Sequence, residues 1–150
     1  IVMKKFKIVL TAIVMLFAGS AFAMEPENVS PKVKAAFESD FSKASKISWE
    51  KTSDFYFASF TLNDVRIDAA YNEDGELLGT ARVISAEQMP LSVSLAIAEK
   101  YAGYRVEKTA IELTYEGQTR YYISVENEHQ IVKLKCFSNA DVEVERKIKK

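Results

Sequence analysis

This sequence predicts an α+β fold of two tandem repeats, each a helix followed by an antiparallel meander. The strands are expected in one antiparallel sheet, with both helices on one of its faces. Three observations carry the prediction. Amphipathic helical stretches open near Pro31 and Pro90. After each stretch the apolar period shifts from helical spacing to two. The halves also align: Val33, Ala36, Phe37 and Phe41 match Val93, Ala96, Ile97 and Tyr101 at an offset of 60. Glu50-Lys51-Thr52 matches Glu107-Lys108-Thr109 at 57, and Tyr56-x-x-x-Phe60 matches Tyr121-x-x-x-Val125 at 65. Drifting offsets are what loop insertions leave in diverged repeats.

The elements follow in order. Ser30-Pro31 reads as an N-cap with proline at the first helical position. Val33, Ala36, Phe37, Phe41 and Ala44 make an apolar stripe that only Asp40 interrupts. Ile47 to Lys51 is a short strand holding Trp49. From Phe55 to Leu62, Tyr56, Ala58, Phe60 and Leu62 share one face, and Phe55, Phe57, Ser59 and Thr61 the other. Asn63-Asp64 is a two-residue hairpin signal leading into the alternation from Val65 to Tyr71. Asn72-Glu73-Asp74-Gly75 is a second turn, before a strand from Leu77 to about Ser85. Pro90 then opens the second helix, and Gly103 suits a left-handed cap after it. Strands are expected near Arg105 to Tyr115, Tyr121 to Glu126, Ile131 to Phe137 and Val142 to Lys147.

The first residues have the form of a cleavable secretory signal. Met3 is the expected start, followed by the basic Lys4, Lys5 and Lys7. The apolar run from Ile8 to Phe17 is broken only by Thr11. Ala21-Phe22-Ala23 fits signal-peptidase recognition, so cleavage is expected after Ala23. The run falls short of the roughly 20 residues a spanning helix needs, so no stable membrane anchor is expected. Residues 24–29 are expected as a flexible arm, and 30–150 as the domain. Repeat one covers about 30–88 and repeat two about 89–150.

Removing three lysines leaves 17 Lys and Arg against 21 Asp and Glu, a net charge of −4. Nucleic acid, which favours a basic patch, is therefore not an expected partner. Cys136 is the only cysteine, so no intramolecular disulfide can form and a core must supply the stability. Its apolar-alternating context predicts burial.

Catalytic and metal-binding patterns are missing. His129 is the only histidine and sits in a loop-like Asn127-Glu128-His129-Gln130. It cannot complete a usual zinc site alone, and no G-x-S-x-G elbow accompanies it. Asn72 to Glu76 faintly resembles a calcium loop. Setting Gly75 at the sixth position puts Ala70 and Ala81 where carboxylates are needed. No Gly-rich phosphate loop is present, so neither a cofactor nor an enzyme activity is expected. What remains is an aromatic excess at Trp49, Phe55, Tyr56 and Phe57. The alternation turns Phe55, Phe57 and Tyr122 away from the helices, together with Arg66, Asp68, Lys133 and Lys135. Aromatics rimmed by charges are typical of protein-binding surfaces, so these seven are the candidate binding face. The same rings could instead be covered by a chain segment or a second molecule.

These residues resemble a family. Phe41-Ser42-Lys43-Ala44, Ile47-Ser48-Trp49, Tyr56 to Phe60 and Asp74-Gly75-Glu76-Leu77-Leu78 are similar to the secreted PepSY-like proteins related to the β-lactamase-inhibitor fold. Met89-Pro90 and Tyr121 to Val125 resemble the second copy. Met89 stands where the family has leucine, and Ala140-Asp141 where an Asp-Gly turn is expected. The resemblance implies a periplasmic or secreted, non-catalytic domain. PepSY relatives include protease propeptides and inhibitory modules, and the inhibitor fold clasps an enzyme with its open sheet face. The functional expectation is a binding module for another exported protein, such as a peptidase. The alternative is a small-ligand or peptide carrier with a pocket between sheet and helices.

Overall fold

The computed structural model describes residues 25, 28–52 and 54–150. The expected signal peptide and its cut lie outside the described residues. The elements are α1 (Pro31–Asp40), β1 (Ser45–Thr52), β2 (Phe55–Leu62), β3 (Val65–Asn72), β4 (Leu77–Ser85), α2 (Leu91–Lys100), β5 (Arg105–Val106), β6 (Thr109–Tyr115), β7 (Gln118–Glu126), β8 (Gln130–Phe137) and β9 (Val142–Lys149). A single 3-10 turn, Ala86–Gln88, precedes α2. The fold is α+β. Nine strands share a sheet in the order β1-β2-β3-β4-β6-β7-β8-β9, with β5 pairing β7. The chain divides into two compact units at Arg82/Val83, within β4.

In the first unit, proline at the helix start sets the opening turn of α1. Ser30 occupies the N-cap, but its side chain makes no capping bond. Its carbonyl accepts from Lys34 N at 3.0 Å. Val33 and Phe37 face the core with Trp49, Tyr56, Ala58, Phe60, Ala69 and Tyr71. The Phe37 ring meets Trp49 and Phe60 edge-on, at 5.2 and 5.0 Å between centroids. Phe41 is only partly buried against this cluster. Asp40, the polar break in the helical stripe, accepts a hydrogen bond from the Tyr71 hydroxyl at 2.9 Å. Burial and that carboxylate together raise the Tyr71 pKa far above the usual phenol range. Val29, expected in the flexible arm, is buried in the core cluster instead.

The turns follow from local chemistry. Asn63 and Asp64 both take left-handed backbone angles, φ 50° and 64°, as a tight hairpin between twisted strands requires. At the β3–β4 turn, Asn72 Oδ1 accepts from Asp74 N at 3.0 Å and Glu76 N at 2.9 Å. Gly75 takes φ +80° there.

In the second unit, Ser85 and Gln88 form a reciprocal capping box on the 3-10 turn: Ser85 N donates to Gln88 Oε1 at 2.8 Å. Pro90 is the N-cap of α2 rather than its first residue. Val93 and Ile97 pack with Met89 on Tyr121, Ile123, Val125, Val132, Leu134 and Cys136. Tyr101 is partly buried beside them. Gly103, at φ +83°, lies two residues beyond the helix's C-cap Tyr101. Cys136 is fully buried, and burial pushes its thiol pKa up to about 11 against the pull of Lys100. The single strand expected from Arg105 to Tyr115 is two, β5 and β6. The chain breaks register at Glu107–Lys108, where Lys108 turns its carbonyl to Ala86 N at 2.8 Å. At the last hairpin Ala140 carries φ +72°.

Candidate functional site

The registers decide which side chains share the sheet faces that the helices leave. In the first unit Phe57 pairs with Ala70, and Ser59 with Asp68. Ala70 and Asp68 pair onward with Gly79 and Ala81. Tyr56, Ala58 and Phe60 belong to the α1 core, so Phe57, Ser59 and Asp68 point the other way. The alternation predicts a face that is open to water or covered by a partner, a chain segment or a second molecule. It is not open at its centre: Phe57 is 2% exposed and Asp68 0%. Phe55 is half-buried and Arg66 exposed.

Asp68 is the most unusual group there. Its carboxyl lies 3.8 Å from Arg66, and neither oxygen completes a hydrogen bond. Burial raises its pKa above the ordinary carboxylate value, and Ser59 and Arg66 only partly offset this. Glu50, opposite Phe57 on β1, also carries a buried oxygen without a hydrogen bond.

In the second unit Tyr122 pairs with Ile111 on one side and Lys135 on the other. Tyr121, Ile123 and Val125 pack on the α2 core, so Tyr122 faces away from it. It too is buried, at 7% exposure. Its hydroxyl pKa is pushed up to about 12 by burial and by Glu145 and Glu143, against Arg120. Lys135 lies 3.3 Å from Glu143, with its ammonium 4.8 Å from the centre of the Phe137 ring. Lys133 is exposed.

The seven candidate residues thus divide into buried Phe57, Asp68 and Tyr122 and accessible Phe55, Arg66, Lys133 and Lys135. Period-two alternation gives direction but not what lies over a side chain, so the sequence could not separate the two sets.

Two surface depressions belong to the second unit. One, of about 520 Å³, is open and lined by Arg105, Glu126, His129 and Lys150. Glu126 there is held between Arg105 and Lys150, the latter at 3.2 Å. His129 is exposed in its loop, where Asn127 Oδ1 accepts from His129 N at 2.9 Å. The other, of about 450 Å³, is a mostly apolar groove beside α2, lined by Met89, Leu91, Ile97 and Val106. Leu91 and Leu95 are 73% and 60% exposed, a feature the helical stripe of Val93, Ala96, Ile97 and Tyr101 did not bring out. Among the described residues no group of three or more His, Cys, Asp or Glu could hold a metal ion. Among them also, no helix is long and apolar enough to cross a membrane.

No family model and no curated protein sequence matches the chain. Solved structures do. A Bacteroides eggerthii protein assigned to the periplasm shares 18% identity at a TM-score of 0.66, over 87% of this chain and 90% of its own. A BLIP-like protein of Bacteroides fragilis shares 19% identity at 0.65, over 80% and 85%. A DUF2874 family protein of Bacteroides uniformis shares 17% identity at 0.66, over 79% and 88%. At these identities the likeness concerns architecture: the fold of this chain is that of the BLIP-like and DUF2874 structures.

Proposed function

We propose that the chain is an exported, non-catalytic binding module. It engages another periplasmic or secreted protein, such as a peptidase, through the sheet faces its helices leave free, and so modulates that partner. In this reading the signal peptide is removed after Ala23. The two units are diverged copies of one helix-plus-meander repeat of the PepSY-like, inhibitor-related kind, with both helices on one side of the sheet.

One observation carries the reading. Each unit spends large aromatic rings on the sheet side its own helix does not cover, at Phe57 and Tyr122. A sheet with only one buried face needs polar residues there. Beside the rings stand accessible Phe55, Arg66, Lys133 and Lys135. An apolar centre with a charged rim is the anatomy of a protein interface. The BLIP-like and periplasmic neighbours fit such a module.

The test is a photo-crosslinking residue placed at position 55 or 133, with position 38 on the outer side of α1 as reference. The reading expects products with another exported protein from 55 and 133 and not from 38. Products from 38 alone would sink it.

The groove beside α2 favours a second reading, a carrier of a small apolar ligand or peptide. Its volume of about 450 Å³ lies within the range of small-molecule sites. That reading expects an apolar fluorescent probe to bind and Leu91→Glu to abolish the signal. Unchanged fluorescence in the variant would remove it.

A further inference from the structure

Lys133 on β8 stands directly opposite Arg146 on β9. Two cations at paired positions of an antiparallel ladder repel, and the pair weakens the sheet. Neither makes an ion pair or hydrogen bond among the described residues, and both are exposed. Two nearby acids are held by other cations, and Glu107, whose N–H donates to the Ser124 carbonyl at 3.0 Å, makes no ion pair with Lys133 or Arg146. Glu143 is held by Lys135 at 3.3 Å, and Glu126 by Arg105 and Lys150. Glu145, the residue that β9 bulges out between Arg146 and Val144, forms no ion pair with either cation.

Register adds direction to this charge. Lys133 also pairs with Ser124 on β7, so Ser124, Lys133 and Arg146 form one row across three strands. The row lies on the side away from α2, because the alternate residues Val132 and Leu134 are in the α2 core. Tyr122 and Lys135 form the next row on the same side. A hydroxyl and two cations that make no ion pair thus flank the ring assigned above to the binding face.

Resting on the sheet-face reading, we infer that Lys133, Arg146 and Ser124 receive a carboxylate of the protein partner, an aspartate or glutamate side chain. The bound acid relieves the like-charge pair, so part of the repulsion stored in the free protein is released on binding. Local rules broken without internal compensation are expected where a surface serves a partner. Two cations are too few to hold a polyanionic backbone, so the row suits an acidic protein segment over nucleic acid.

The probe is a peptide of alternating glutamate and serine, titrated into the labelled full chain, with a lysine-serine peptide as control. Amide shifts at Ser124, Lys133 and Arg146 are expected to saturate with the acidic peptide only. K133Q/R146Q weakens its binding roughly fivefold, while K147Q/K149Q, which removes equal charge from the opposite side of β9, changes it by less than about twofold. In the free protein Arg146→Glu raises Tm by about 1 °C or more, because it turns the repelling pair into an attracting one. Equal losses in both double variants, absence of saturation, or a lowered Tm in Arg146→Glu would overturn the inference. Crosslinking from position 55 that is indifferent to K133Q/R146Q would remove this inference and leave the sheet-face reading standing.

Discussion

The carbonyl oxygen of Lys32, in the first turn of α1, lies 3.0 Å from where a β-carbon on Gly75 would stand. The β3–β4 turn therefore rests on the start of the helix with no room for a side chain. Lys32 and Asp74, 3.9 Å apart, flank the contact, but both are well exposed and contribute little. The packing is set by backbone and by the absence of a β-carbon.

Gly75→Ala meets two penalties at once. The residue sits at φ +80°, and the new methyl group meets a backbone atom that cannot swing aside. The left-handed conformation alone costs a non-glycine residue roughly 1–2 kcal/mol. The expected loss in denaturant unfolding is about 2 kcal/mol or more. A midpoint within error of the parent would show that the turn does not dock on α1.

The last hairpin presents the converse case. Ala140 holds φ +72°, with Asn139 Oδ1 accepting from Asp141 N at 3.1 Å. Glycine removes the left-handed penalty but adds freedom to the unfolded chain, so only part of the gain survives. Ala140→Gly is expected to stabilise by about 0.5–1 kcal/mol, read as a higher urea midpoint with an unchanged m-value. A lower midpoint would mean that the alanine methyl packs usefully.

Asp68 predicts a pH dependence with a definite sign. Its folded pKa is raised, so the folded state holds the proton more tightly than the unfolded chain does. Protonation therefore favours folding. The group's contribution is most favourable below the unfolded carboxyl pKa of about 3.9 and is lost as pH rises through the higher folded value. Asp68→Asn keeps the shape and cannot ionise. Its Tm advantage over the parent should be small near pH 3, grow through the window above the unfolded pKa, and level off once pH passes the raised folded value. A variant less stable than the parent at pH 7 would show that the ionised carboxylate is held by a partner stronger than Arg66 at 3.8 Å.

Much of the architecture was legible because it is periodic. The stripe through Val33 and Phe37 and the one through Val93 and Ile97 fixed which helix faces are buried. Alternation in Tyr56 to Phe60 and Tyr121 to Val125 fixed which strand residues meet them. Features without a period escaped. Asp40 read as a flaw in the stripe, whereas Tyr71, a residue 31 positions away, uses it as an acceptor. The break between β5 and β6 depends on Lys108 meeting Ala86, which no local pattern encodes. Arg146 drew no notice because its significance is the residue opposite it, and a bulge at Glu145 shifts the register that would have revealed it. Burial of Phe57 and Tyr122 was hidden for the same reason: alternation states a side, not a cover.

That burial changes what truncating these rings should do. A ring serving only as an anchor in a solvent-exposed face can be removed with little effect on folding. Phe57, at 2% exposure, is already out of water in the free chain. It sits between Glu50 and Ala70 in the register, with small residues at Ala70 and Gly79 that cannot expand to fill its place. Phe57→Ala is therefore expected to cost about 3–5 kcal/mol, in the range for buried phenylalanine. Tyr122→Ala should follow the same direction, because its ring is buried and its hydroxyl is held un-ionised. Phe55→Ala, at the half-buried edge of the same strand, should cost much less. Chemical denaturation of the three single variants gives the order. If Phe57→Ala instead leaves the midpoint in place and Phe55→Ala lowers it, the face is wet at its centre and Phe57 is free to act as the anchor. With the expected order, the centre is structural. Under the proposed function, recognition would then rest on accessible side chains such as Lys133 and Arg146.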